Sequence, residues 1–108
     1  MTGFPAHVRE QVANRATQHC ERCGEASNAF HWHHRRPRGA GGSKAADTNT
    51  AANCLLLCVR CHAWIESHRS EALHWGWLVP QGTSPEKTPV WIGWRWVFLR
   101  CDGTTEER

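Results

Sequence analysis

Two CxxC pairs, Cys20 with Cys23 in CERC and Cys58 with Cys61 in CVRC, constrain this chain more than any other feature. Four thiolates in two such pairs form the soft tetrahedral shell that Zn²⁺ prefers. A disulfide scaffold would need an oxidising compartment, which nothing in the sequence indicates. The remaining cysteines, Cys54 and Cys101, belong to no second ligand cluster and read as small buried apolar residues. A closed four-sulfur site leaves no open position for a substrate, so this zinc is structural. In a chain of 108 residues its binding energy is largely folding energy.

The chain between the pairs, residues 24–57, is longer than the roughly 15 to 20 residues of a plain zinc ribbon. Something is inserted there. Gly24 lets the backbone turn back round the metal, and AFHWHH then alternates bulky and polar side chains as a short strand does. RPRGAGGSKAADTNTAAN has no apolar periodicity and reads as a long loop, a length that is usually functional inside a compact domain. The apolar run from Cys54 to Leu57 predicts a second strand, and CHAWIESHRSEALHWG predicts one helix stopped by Gly76.

Upstream, PAHVREQVANRATQ combines a proline start with an apolar stripe at Val8, Val12 and Ala16, which predicts a helix from Pro5 to about Gln18. Downstream, PVWIGWRWVFLRCDG is dense in β-branched and aromatic residues around Gly93 and predicts a terminal hairpin, with TTEER fraying beyond it. Of the seven tryptophans, Trp64, Trp91, Trp94 and Trp96 read as core. Trp32, beside the histidines, is the candidate for nucleic-acid contact. No run of about 18 apolar residues exists and MTGFPAHVREQ has no apolar signal core, so a cytoplasmic location is expected.

HWHHRRPRGAGG packs three histidines and three arginines against a glycine-rich loop. Like charges repel, so such a cluster needs a negative partner. The formal net charge of +3 is modest and treats eight histidines as neutral, but local cationic density matters more for a polyanion. Arg35, Arg36 and Arg38 are therefore read as phosphate-binding residues. His62 directly follows the fourth cysteine. Because successive helical residues are rotated by about 100°, Cys61 and His62 cannot face the same ion, and His62 is free for another. Glu66 lies one turn further on the same face.

Taken in order, CERCG, HHRRPRG, the glycine-rich loop, Asn53 and LLLCVRCHAWIESHR resemble the HNH endonuclease family, in particular its small zinc-stapled phage and actinobacterial members, from about Cys20 to Arg69. The resemblance implies that His34 is the general base, that His33 and His62 hold a catalytic divalent ion, and that Asn53 fixes the loop after His34. Glu66 stands where some relatives place a further histidine, which leaves its role open. In a regular strand His33 and His34 point to opposite faces and His31 shares a face with His33, so His31 remains a rival ligand.

The implied fold is α+β: a ββα-metal core at about 20–69 stapled by the four-cysteine zinc site, an N-terminal helix, and a C-terminal hairpin extension at 80–108, all in one domain of residues 1–108. The implied activity is metal-dependent hydrolysis of DNA, by nicking or double-strand cutting, with weak sequence preference. Mg²⁺, Mn²⁺, Ni²⁺ or Zn²⁺ fits the catalytic site, imidazole ligands favouring the transition metals. Phage relatives act beside the packaging terminase, which extends the implied partners from DNA to packaging proteins. A non-catalytic zinc module that binds nucleic acid or scaffolds a packaging complex is the rival reading. It predicts loss of the base or a ligand, yet His34 and His62 are both present.

Overall fold

A computed structural model describes residues 3–38 and 45–108. Helix α1, Ala6–Ala16, starts at Pro5, whose fixed φ of −67° suits a helix entry, and buries Val8, Val12 and Ala16. It stops two residues short of the sequence expectation because Thr17 and Gln18 take left-handed backbone, φ 53° and 64°. The Thr17 N–H then closes the last turn on the Ala13 carbonyl at 2.9 Å.

Strand β1, Phe30–His34, pairs antiparallel with β2, Cys54–Cys58, in the register His31 with Leu57, His33 with Leu55 and His34 with Cys54. Every residue of β2 is buried. Period-two alternation sends Leu55 and Leu57 into a core with Ile65, Trp77, Val90, Val97 and Leu99. Cys54 and Leu56 face α1, packing with Phe4, Val8 and Val12. A strand sandwiched in this way reads as a continuous apolar run, which is how CLLLC appears. Burial pushes the Cys54 thiol up, so it packs as a protonated core group. Cys101 is only half-buried.

A buried ion pair ties α1 to this sheet. Arg15 donates to both carboxylate oxygens of Glu21 at 2.8 Å and to the carbonyls of Ala51 at 2.9 Å and Cys54 at 2.6 Å. Glu21 in turn accepts the Leu56 N–H at 3.0 Å.

The single helix expected after Cys58 is two: α2, Val59–Ser67, and α3, Arg69–His74. The break at His68 has a local cause. The Ser67 hydroxyl donates back to the carbonyls of Ala63 and Trp64, both at 3.1 Å, and His68 stacks on Trp64 with centroids 4.3 Å apart. Both contacts compete with continued helical pairing. Gly76 ends α3 at φ +79°, and a Cβ there would lie 2.1 Å from the Pro89 carbonyl oxygen, so no other residue fits.

Strands β3, Val90–Ile92, and β4, Arg95–Leu99, form the expected hairpin. The tail expected to fray is instead a third strand, β5, Thr105–Glu107, paired with β4. Its carboxylates meet arginines on and just after β4: Glu107 lies 3.1 Å from Arg95, and Glu106 pairs with Arg100. The indoles do not all enter the core. Trp94, expected inside, is 81% exposed at the hairpin tip. The others include a stack in which Trp75 lies between Trp77 and Trp96, centroids 5.8 and 5.7 Å away. Arg22 caps one end, 4.7 Å over Trp77, and Arg108 the other, 5.2 Å over Trp96.

Candidate functional site

The four cysteines converge. Cys20 and Cys23 lie on a tight turn closed by the Gly24 N–H on the Cys20 carbonyl at 2.8 Å, with Gly24 at φ +80°. Cys58 ends β2, and Cys61 lies in the first turn of α2. Their sulfurs all lie within 4.8 Å of one another, with Cys23 and Cys58 4.0 Å apart. Zinc–sulfur bonds of about 2.3 Å in a tetrahedron put sulfurs roughly 3.8 Å apart, so the donor set fits a structural zinc. Because Cys58 caps α2, the same cluster fixes where that helix begins and hence where His62 points.

A second donor group lies next to it: His33, His62 and Glu66, with one ligand atom from each within 4.8 Å of the others. His33 is buried on β1 and its Nε2 donates to the Trp77 carbonyl at 2.8 Å, which leaves Nδ1 with its lone pair. Burial holds its pKa down to about 4, and the charges of His62, His34 and Arg35 act in the same direction against the Trp77 carbonyl. A neutral imidazole is what a metal ligand requires. His62, on α2, has its ring centroid 5.2 Å from that of His33. Burial and His31 lower its pKa, while Glu66, 3.9 Å from Nε2, opposes them. His31 shares this face, as strand alternation requires, and its Nδ1 lies 2.7 Å from Nδ1 of His62.

His34 leaves β1 on the α1 side. Its ring stacks on Phe4, centroids 4.1 Å apart and planes 20° from parallel, and its Nε2 lies 2.8 Å from Oδ1 of Asn49. Burial lowers its pKa, with Asn49 opposing. The two faces nevertheless meet. His31, His34 and His62 all line one groove of about 700 Å³, together with Phe4, Arg9, Trp32 and Arg38. His34 and His62 thus reach one space because the groove runs along β1 itself.

Asn53 is fully buried and holds the turn after His34 from within. Its Oδ1 accepts the Arg36 N–H at 2.7 Å, and its Nδ2 donates to the carbonyls of Arg36 at 3.2 Å and Thr48 at 2.9 Å. Its own carbonyl accepts the Arg35 N–H at 2.8 Å.

Residues 20–67 match the model of the HNH endonuclease family. This segment is an HNH domain. No curated protein and no solved structure matches the chain. The HNH domain contains both donor clusters, His34, Asn49 and Asn53, whereas Phe4 and Arg9 reach the groove from outside it. No helix among the described residues is long and apolar enough to cross a membrane.

Two arginines of the HNH domain depart from the expected phosphate-binding role. Arg35 is fully buried and donates to four carbonyls: Gly76 at 2.9 Å, Ala52 at 2.8 Å, Pro85 at 3.0 Å and Thr88 at 2.9 Å. With its donors satisfied inside the protein it cannot contact a phosphate. Arg36 is 7% exposed, paired with Asp47 and donating to the Thr83 carbonyl at 2.9 Å. Arg38 is exposed and lines the groove. Its neighbour there is Arg9, which the sequence pattern did not single out. The available signal was its place beside the buried stripe of α1. The glycines at 39–44 lie outside the described residues.

Proposed function

We propose that this protein is a metal-dependent endonuclease that hydrolyses DNA phosphodiester bonds in the groove along β1. The observation that carries this reading is that groove itself: the His34 imidazole and His62, one member of the cluster of metal-binding type, line one space. His33, His62 and Glu66 would hold the catalytic ion, with His31 beside them. When bound, a divalent ion supplies Lewis-acid stabilisation of charge developing on the phosphate and on the leaving 3′ oxygen.

The chain's own residues do the rest. His34 acts as general base, taking a proton from the attacking water on Nδ1, the ring nitrogen not engaged by Asn49. An imidazole suits this because its unperturbed pKa, near 6.5, lies close to the operating pH. Arg9 and Arg38 flank the groove and place the phosphate backbone, a contact that gives affinity without reading bases. Trp32, 36% exposed in the same groove, offers an indole edge to the strand. Cleavage is accordingly of weak sequence preference.

A supercoiled-plasmid assay tests the reading, with Mn²⁺ or Ni²⁺ added and His34→Ala and His62→Ala run beside the wild type. The wild type nicks and both variants fail, while each keeps the zinc content of the wild type. If His34→Ala nicks as the wild type does, His34 is not the base; if the wild type itself leaves the plasmid uncut, the protein is a binding module rather than a nuclease. Strong chelation alone is a poor control, since stripping the structural zinc also unfolds the chain.

A further inference from the structure

We propose that Asn49 is the positioning residue for His34, holding Nε2 through its side-chain carbonyl so that Nδ1 is turned to the groove, with Phe4 as a backstop behind the ring. The inference rests on the reading of His34 as the base. A neutral imidazole has one donor and one acceptor nitrogen, and the partner of one fixes the role of the other. Asn49 Oδ1 can only accept, so the 2.8 Å contact makes Nε2 the donor and leaves the Nδ1 lone pair available. Among the described residues no hydrogen-bond partner competes for Nδ1.

Two features distinguish this contact from a casual surface bond. The first is steric. Phe4 lies against the imidazole at 4.1 Å and nearly parallel, so the ring is confined to one plane, and within that plane Asn49 selects which edge faces outward. Phe4 itself is 6% exposed and packed with Val8 and Val12, so the plate is rigid.

The second feature is how Asn49 is held. The Thr50 hydroxyl donates to the Asp47 carbonyl at 2.9 Å, Asp47 pairs with Arg36, and the Thr48 carbonyl accepts from Asn53 at 2.9 Å. Asn53 also holds the backbone of Arg36, two residues beyond His34. One buried amide therefore secures both ends of the His34–Asn49 contact: the turn that leaves β1 and the turn that presents Asn49. A ring whose orientation is fixed before water arrives incurs no ordering cost during the reaction.

Asn49 is exposed, so its replacement does not threaten the fold. The test compares Asn49→Leu, which keeps the shape and removes the acceptor, with Asn49→Asp, which keeps the acceptor, in steady-state cleavage of plasmid DNA. Asn49→Leu lowers kcat about tenfold with KM unchanged, as loss of a group orienting an active-site imidazole does, and Asn49→Asp restores most of it. Wild-type kcat in the Leu variant, or equal losses in the Leu and Asp variants, overturns the proposal. His34→Ala in the same assay separates the two readings. If it is inactive while Asn49→Leu is normal, only the positioning role falls; if it cleaves normally, the base assignment falls with it.

Discussion

Arg22 donates a hydrogen bond to the sulfur of Cys61 at 3.2 Å while its guanidinium lies 4.0 Å above the ring of Trp64. A zinc ion bound by four thiolates carries a net charge of about −2, and a cation on one sulfur draws off part of that charge without competing for the metal. The indoles hold the guanidinium in place. Arg22→Met keeps much of the stem's bulk and removes the charge. Zinc transfer to a competing chromogenic chelator becomes faster, with affinity weakened by about tenfold, the lower end for loss of an outer-shell partner. An unchanged transfer rate would mean that the contact is packing only.

His33 makes folding stability depend on pH in a calculable direction. Its pKa is held at about 4 in the folded protein, against about 6.5 when unfolded. The folded state therefore refuses a proton that the unfolded chain accepts. Stability from this source is intact above pH 6.5 and falls as pH drops towards about 4. The full loss is on the order of 3 kcal/mol. Acid also protonates the zinc thiolates, so the measurement is a difference: denaturant unfolding of wild type against His33→Gln across that window. The wild type shows the steeper decline, and parallel curves would place the proton elsewhere.

Arg35 is predicted to matter for stability and not for DNA. Burial lowers its pKa to about 9, so it stays charged at neutral pH, and four carbonyls solvate it in place of water. Those carbonyls belong to the turn before β2, the end of α3 and the connector ahead of β3, so one side chain joins three segments. Arg35→Met orphans all four acceptors and destabilises the fold by about 3–5 kcal/mol, enough to unfold much of the protein at 37 °C. Arg35→Lys recovers little, because an ammonium lacks the planar fork. Arg9→Ala and Arg38→Ala behave oppositely: the fold is unaffected, while DNA affinity falls and the salt slope of binding decreases by about one unit for each phosphate no longer neutralised.

How much of this was legible beforehand follows from the range of each interaction. The CxxC pairs, the alternation in AFHWHH and the run CLLLC each carry their meaning within a few residues, and the two strands and the cysteine cluster appear where those patterns place them. The break at His68 was not legible, because helix propensity says nothing of a serine hydroxyl turned back on its own helix. Nor was the burial of Arg35, since HHRR reads as one basic patch until four distant carbonyls close on one of its members. Strand β5 escaped for a related reason: polar TEE becomes a strand only beside the arginines of its neighbours. Phe4 and Arg9 reach the groove, and Asn49 reaches His34, through tertiary contacts that no local pattern announces.

Trp94 offers a prediction about the cost of a turn. It and Gly93 form the two-residue tip between β3 and β4, with φ of 63° and 60°, the left-handed pair that such hairpins need. Glycine meets that requirement freely, whereas placing a bulky L-residue in the left-handed region costs roughly 1–2 kcal/mol. An indole that is 81% exposed recovers little of this by burial. Trp94→Gly relieves the clash but loosens the unfolded chain, and Trp94→Asn relieves most of it without that entropic loss. Both raise the thermal midpoint, Asn by the larger amount, with about 1 kcal/mol corresponding to several degrees in a chain of this size. A lower midpoint in both variants would show that Trp94 packs on the adjoining Arg22 and Trp91 strongly enough to outweigh its backbone strain.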